Sequence, residues 1–318
     1  SDEFPFIDIA DGDGDNYMSL GYELLSLNRA NHSKTASVKD DITVYAGNHK
    51  ITTGISYEYQ TADNTYMRNG TGYYRYYSFE DFLTGAAPQI VNLTYGYDGV
   101  ANPVACAQFH KAGIYAQDEW RAADRFKLTY GLRFDGFFFN NKDLVTNKAV
   151  YDIDYDGKNV DTGALPGNSL SVSPRIGFVW DVTRDKSLKI RGGTGLFTGR
   201  LPLVYFTNIS TNNGMMLYQA QINSRTAAKM EFTMDEFAGG LVTNAEGKAT
   251  TAALLEKLAG LGFPTTVDPS VGVLTSTVNA VDSKLKMPQV WKSSLAVDYA
   301  FPTSFPFSIT AEGIFNKT

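Results

Sequence analysis

From Phe126 to Asp135 the chain alternates without a break, with Phe126, Leu128, Tyr130, Leu132 and Phe134 on one side and Lys127, Thr129, Gly131, Arg133 and Asp135 on the other. A period of two places each set on one face of a β-strand. The pattern returns in 50–60, where Ile51, Ile55, Tyr57 and Tyr59 oppose Lys50, Thr52, Ser56 and Glu58. In 187–199 the split is Leu188, Ile190, Gly192, Thr194 and Leu196 against Lys189, Arg191, Gly193, Gly195 and Phe197. In 288–300 it is Trp291, Leu295, Val297 and Tyr299 against Lys292, Ser294 and Asp298, and in 305–315 Phe305, Phe307, Ile309 and Phe315 against Ser308, Thr310 and Glu312. Segment 110–121 leaves its register open, because Asp118 shares a face with Ile114 and Trp120.

These strands pair as hairpins near 36–60, 110–139, 171–199 and 288–316, around the short turns "GNH", "AAD", "TRDK" and "FPTS". The connections between hairpins are long, roughly 61–109, 140–170 and 200–287. Compact soluble domains join their elements through about 4 to 6 residues. An outer-membrane barrel instead has short turns on the periplasmic side and long loops outside. The predicted fold is therefore all-β, an antiparallel transmembrane β-barrel with about eight strands in 1–318, and with long external loops carrying short helices at 226–238 and 249–260. Aromatic residues gather beside the short turns (Tyr45, Trp120, Phe126, Trp180, Tyr299, Phe301, Phe305), as in the girdles of such barrels or in an ordinary β core. A soluble sandwich, its apolar face on a second sheet, shares the alternation.

Composition narrows the function. Aromatic residues make up 13% of the chain, which suits strands. A net charge of −6 speaks against a nucleic-acid partner, since phosphate binding needs a basic surface. The single cysteine, Cys106, excludes an internal disulfide and is expected to be an incidental loop thiol. No apolar run approaches the roughly 18 to 20 residues of a membrane helix, which leaves a barrel untouched. The first residues, "SDEFPFIDIA", are not a signal peptide, so a mature chain or an internal piece is expected.

Two stretches carry a family likeness. "GIYAQDEWRAADRFKLTYGLRFDG" (113–136) and "SPRIGFVWDVTRDKSLKIRGGTGLFTGRLPLVYFTN" (173–208) resemble the barrel region of TonB-dependent outer-membrane receptors, in particular the Oar-like receptors of Bacteroidota. The resemblance implies a barrel of about 22 strands around a plugged lumen, seated in the bacterial outer membrane among its lipids. It also implies import of a nutrient (a glycan, a peptide or a metal chelate) driven through TonB, with a surface lipoprotein as a possible accessory. Neither a plug domain nor a TonB box is found, and "GIFNKT" has no terminal aromatic, so 1–318 is expected to be a partial barrel whose missing N-terminal region meets TonB.

Several groups are candidates for chemistry. "TGYYRYYSFEDF" crowds Tyr73, Tyr74, Tyr76 and Tyr77 around Arg75, where exposed rings can stack on sugars or anchor a partner protein. The competing reading makes them the upper end of an extended strand. Asp11, Asp13 and Asp15, with Asp8 and Asn16, offer hard oxygens for calcium, but the closing Glu of an EF-hand is absent and a solvated loop is favoured; no cofactor is expected. Arg133, Arg175, Lys189 and Arg191 are expected to face the lumen and pair with acidic groups of a plug. Gly192, Gly193 and Gly195 do not match a phosphate-binding loop. His32, His49 and His110 lie far apart, and no GxSxG or HExxH occurs, so no enzyme is expected. Two other functions remain: a self-contained eight-stranded porin or adhesin whose first and last strands pair, and a soluble carbohydrate-binding β-sandwich.

Overall fold

The computed structural model describes residues 5–21, 23–25, 29–100, 102–141, 143–225 and 255–318. The expected helix at 226–238 lies outside the described residues; of 249–260, the described part, 255–260, is helical. In chain order the strands are β1 (Phe6–Ala10), β2 (Asn16–Leu20), β3 (Asn31–Ala46), β4 (His49–Asn64), β5 (Tyr73–Tyr76), β6 (Ile90–Gly96), β7 (Ala105–Ala123), β8 (Phe126–Asn140), β9 (Ser169–Asp181), β10 (Leu188–Thr198), β11 (Leu217–Asn223), β12 (Gln289–Ala300) and β13 (Ser308–Lys317). The helices are α1 (Phe79–Thr84), α2 (Lys148–Tyr151) and α3 (Val204–Thr211).

Eight long strands form one antiparallel sheet in the order β13-β12-β10-β9-β8-β7-β4-β3. The four predicted hairpins are β3/β4, β7/β8, β9/β10 and β12/β13. Cys106 belongs to β7 rather than to a loop, because β7 begins at Ala105. Several strands run past the predicted ends: β3 and β4 have 16 residues each and β7 has 19, against the about 9 to 11 that cross a bilayer. β3 and β13 stand at opposite edges and do not pair, so the first and last strands do not close the small cylinder of a self-contained eight-stranded barrel.

The register settles the faces. Ile55 faces Ile114, which faces Phe134, which faces Val172. Further along the same side, Trp180 faces Ile190, which faces Val297. No layer among the described residues covers this side. Ile55 is 60% exposed, Leu295 55% and Ile176 47%, while Leu128 and Ile190 are half-buried. The soluble sandwich needs that face packed on a second sheet, and it is bare. Asp118 does lie among Ile114, Ala116 and Trp120, and two neighbours answer it: the Tyr130 hydroxyl donates to its Oδ2 at 2.8 Å and His49 Nδ1 sits 2.7 Å from the same oxygen. The His49 ring stacks on Trp120. Trp120, Phe126, Trp180 and Tyr299 share this face beside the short turns, whereas Tyr45 pairs with Lys50 and so points to the other side.

The opposite face is polar. Ion pairs there join Lys50 and Lys127 to Glu119, Arg133 and Lys111 to Asp135, and Arg191 to Asp298 and Glu312. Towards the long connections it turns apolar, and Phe206 and Ile209 of α3 pack there with Ala62, Phe109 and Phe137.

The other five strands are β1 and β2, ahead of the first hairpin, and β5, β6 and β11, within the long connections expected as loops with short helices. They form a second sheet, β11-β6-β5-β1-β2, in which β1 and β5 run parallel. Ile7, Ile9, Tyr74, Tyr76 and Val91 are fully buried in it together with Leu258 of the 255–260 helix.

Candidate ligand-binding site at the loop end of the sheet

Two of the long connections, 140–170 and 200–287, meet at one residue. Asn147, fully buried, caps α2 by accepting from the Val150 N–H at 3.3 Å, and its own N–H donates to Thr162 Oγ1 at 2.9 Å. Its side-chain amide donates to the carbonyls of Asn213 at 2.8 Å and Val273 at 2.7 Å. One asparagine thus ties 147–162 to the segments after α3 and before β12. The two strands of backbone it binds come close because Gly214 and Gly272 hold positive φ (74° and 85°), and a Cβ on either would strike the Asn147 side chain. Asn213 is pinned in turn, its Oδ1 accepting from Met215 N at 3.0 Å.

Beside this knot lies a cavity of about 380 Å³. One wall is the turn Tyr97–Gly99, held by the Tyr97 N–H on the Met216 carbonyl (3.4 Å) and the Asp98 N–H on the Thr265 carbonyl (2.9 Å). Buried Ser210 and Asn213 line it as well, and Val100, Val104 and Val145 stand exposed around it with Asp98 and Asp143. The Tyr97 ring is buried, and its hydroxyl has no hydrogen-bond partner among the described residues. Burial, and then the neighbouring Tyr218, push that hydroxyl well above the ordinary tyrosine range, so it stays protonated.

The residues expected to bind ligand are divided by strand alternation. Tyr74 and Tyr76 are fully buried in the core of the five-stranded sheet, which removes their rings from any ligand. Tyr73 and Arg75 lie on the other face: the Tyr73 hydroxyl donates to Asp8 Oδ2 at 2.9 Å and Arg75 Nη2 to the Gly14 carbonyl at 2.7 Å. Tyr77, past the strand, is 51% exposed. Asp11, Asp13 and Asp15 sit in the β1–β2 turn, where Asp11 Oδ1 accepts from the N–H groups of Asp13 and Asp15. Among the described residues no three His, Cys, Asp or Glu side chains are grouped to hold a metal ion.

Arg133, Arg175, Lys189 and Arg191 all project from the polar face, in register with its other charged positions. Three of them pair within the wall itself. Arg133 binds Asp135 in bidentate fashion at 2.8 and 2.7 Å and also reaches Ser56, Lys189 lies 3.9 Å from Asp181, and Arg191 pairs with Asp298 and Glu312. The room for Arg133 comes from Gly113, whose missing Cβ would crowd the guanidinium, Asp135 and Ser56. Asn147 and the cavity were missed, since the partners of Asn147 lie up to 126 residues from it, the cavity walls run from Tyr97 to Pro269, and no local pattern links them.

A family model described as an outer membrane beta barrel domain matches residues 1–311. Among solved structures, the chain is similar to the copper transporter OprC (12% identity, TM-score 0.42, 88% of this chain and 30% of that one). It is also similar to the FrpB iron transporter from Neisseria meningitidis (12%, 0.40, 89% and 28%) and to the outer membrane transporter YddB from Escherichia coli (12%, 0.42, 94% and 27%). The chain spans less than a third of the length of each. A search of curated proteins finds no match.

Proposed function

The chain belongs to the family of outer membrane beta barrel domains, which places it in the bacterial outer membrane, and on that premise we propose that it is part of the wall of an importer that captures a nutrient outside and passes it to the periplasm. One observation carries this reading: the eight-stranded sheet leaves its apolar face bare and lines the other with ion pairs. Hydrocarbon satisfies the first face, and a wet or plugged interior the second. The short turns then mark the periplasmic end, and the five-stranded sheet, α3 and the cavity stand outside. With eight strands in an unclosed sheet, the wall needs further strands to close, in keeping with a barrel of about 22. Energy from TonB, delivered to a plug within that wall, is part of the proposal and rests on the sequence resemblance alone.

The test compares two strains of the source bacterium, with and without the intact gene, grown in complex medium with and without a protonophore. At least one medium component should be depleted only when the gene and the proton gradient are both present. Identical depletion by the two strains would remove the importer reading. A second reading, a static pore, predicts depletion that the protonophore leaves unchanged.

A further inference from the structure

Within the apolar band of the bare face two carboxylates occur among the described residues, and they are served differently. Asp118 of β7 is answered from both neighbouring strands, by His49 of β4 and Tyr130 of β8. Asp40 of β3 faces Ile55, in the row that continues to Ile114 and Phe134, so it lies on the same side of the sheet. The next positions of β3 on that side are Ile42 and Val44 towards the short turn, and Val38 and Ala36 towards the loops, which sets the carboxylate in the middle of an apolar stripe. Its neighbour Lys39 is on the polar face and binds Asp41 instead. Among the described residues no hydrogen bond or ion pair reaches the Asp40 carboxylate.

Asp40 also stands on an edge. β4 lines one flank of β3, and no described strand lines the other. Every second residue of an antiparallel edge strand turns its N–H and C=O away from its one neighbour. Hydrocarbon offers those groups nothing, so the occupant of this flank is another β-strand and not lipid. The same strand is then the second neighbour that Asp118 has and Asp40 lacks. The opposite edge carries no such mark: the bare-face positions of β13 are Ile309, Ala311, Gly313 and Phe315, with a charge only at Lys317, its last residue.

We propose that the seam along β3 is keyed: the strand of the intact protein that docks on it, from outside 1–318, carries a Lys or Arg on its lipid-facing side against Asp40. A carboxylate held in a membrane is unfavourable alone and persists where a cation or donor meets it. Backbone pairing by itself lets a long strand slip by two residues with the same faces outward, and one ion pair at one depth removes that freedom. The two edges therefore accept different strands. A second copy's β13 laid on β3 sets Asp40 against Ile, Ala, Gly or Phe and leaves it unanswered. This inference rests on the barrel reading of the bare face and names the chemistry of the strand that continues the wall.

The experiment turns on the sign of one change. The intact protein is refolded from urea into phospholipid bilayers, and the urea midpoint is compared for Asp40→Leu, Asp40→Asn and Asp40→Glu. If a cation faces Asp40, Leu and Asn strand it in the membrane and lower the midpoint, by an amount comparable to Asp118→Leu, while Glu keeps the charge and recovers most of the loss. If Asp40 faces lipid alone, Leu removes an unfavourable charge and raises the midpoint. A raised or unchanged midpoint for Asp40→Leu overturns the proposal. A second measurement needs no variant: dicyclohexylcarbodiimide, a lipid-soluble reagent for carboxyl groups in hydrocarbon, should leave Asp40 of the unaltered protein unmodified in bilayers. Stoichiometric modification at Asp40, located by peptide mass spectrometry, overturns the proposal whether or not the variants fold. Ile190→Arg in the same assay separates the two readings. Its tolerance removes the barrel reading; a raised midpoint for Asp40→Leu while Ile190→Arg is not tolerated removes the keyed seam alone.

Discussion

In the five-stranded sheet, Ile7, Ile9, Tyr74 and Tyr76 are sealed from solvent, with Leu258 of a distant helix among them. In the eight-stranded sheet, Ile55, Ile176 and Leu295 occupy the same kind of position, one face of an alternating strand, and stand about half exposed or more. Alternation therefore says which side of a strand is apolar and nothing of what covers it. The small sheet, with strands of 4 to 7 residues, can be roofed by a short helix from its own connections. The large sheet, with strands of 10 to 19 residues, presents an apolar area that no described element spans. On the proposed reading its cover is lipid, outside the protein.

Removing a ring from the small sheet gives the largest expected effect. Tyr74→Ala leaves a void in a closed protein core and should cost about 3–5 kcal/mol. Hydrogen exchange should then report loss of protection in β1, β5 and β6 with β7 and β8 unchanged. If both sheets lose protection together, they share a core and the contrast between them is mistaken.

The large sheet should fail in the opposite way. Ile190→Arg places a charge where the proposal puts hydrocarbon and should cost about 2–4 kcal/mol in refolding from urea into phospholipid bilayers. Thr52→Arg, on the polar face, should stay within about 0.5 kcal/mol. All three tryptophans, Trp120, Trp180 and Trp291, lie on the bare face, so brominated lipids should quench nearly all indole fluorescence. An Ile190→Arg protein that refolds normally, or tryptophans that escape quenching, would show that something other than lipid covers that face.

The knot at Asn147 belongs to neither sheet. Asn147→Ala strands the buried carbonyl of Asn213 and the part-buried one of Val273 and should cost about 1–3 kcal/mol. The loss should be local: faster exchange at 147–162, 213–216 and 271–273, and both sheets intact. Melting of the large sheet in step with the loops would mean that the loop assembly supports the wall instead of resting on it.

The sequence made the large sheet legible because each of its hairpins is local: partners such as Ile190 and Trp180 are ten residues apart and their faces follow from a period of two. Asp118 obscured one register, since a carboxylate among Ile114 and Trp120 makes sense only when His49 and Tyr130 arrive from neighbouring strands. The small sheet was hidden for a stronger reason. It joins β1 to β5 in parallel and β6 to β11 across more than a hundred residues, and its strands are too short to show a period. Tyr73, Tyr74, Tyr76 and Tyr77 looked like one aromatic cluster, yet the strand sends Tyr74 and Tyr76 inward and Tyr73 to the opposite face, a division that needed the knowledge that 73–76 is a covered strand. The cavity has no signature because its walls come from every long connection.

The smallest effect separates the sheets by pH. Burial raises the hydroxyl pKa of Tyr74, Tyr76 and Tyr95 far above the ordinary value of about 10. A group whose folded pKa is raised contributes its full stability below the unfolded value and loses it as pH climbs from there towards the folded one, because only the unfolded chain can then release the proton. At pH 10 an unfolded tyrosine is half ionised, which lowers stability by about 0.4 kcal/mol for each buried ring. Pulse proteolysis should therefore cut the five-stranded sheet somewhat faster at about pH 10 than at about pH 8. Replacing Tyr74 and Tyr76 by Phe should remove about 0.8 kcal/mol of that difference while keeping the core filled. If the double variant retains the whole pH effect, the buried rings of Tyr74 and Tyr76 are not its source.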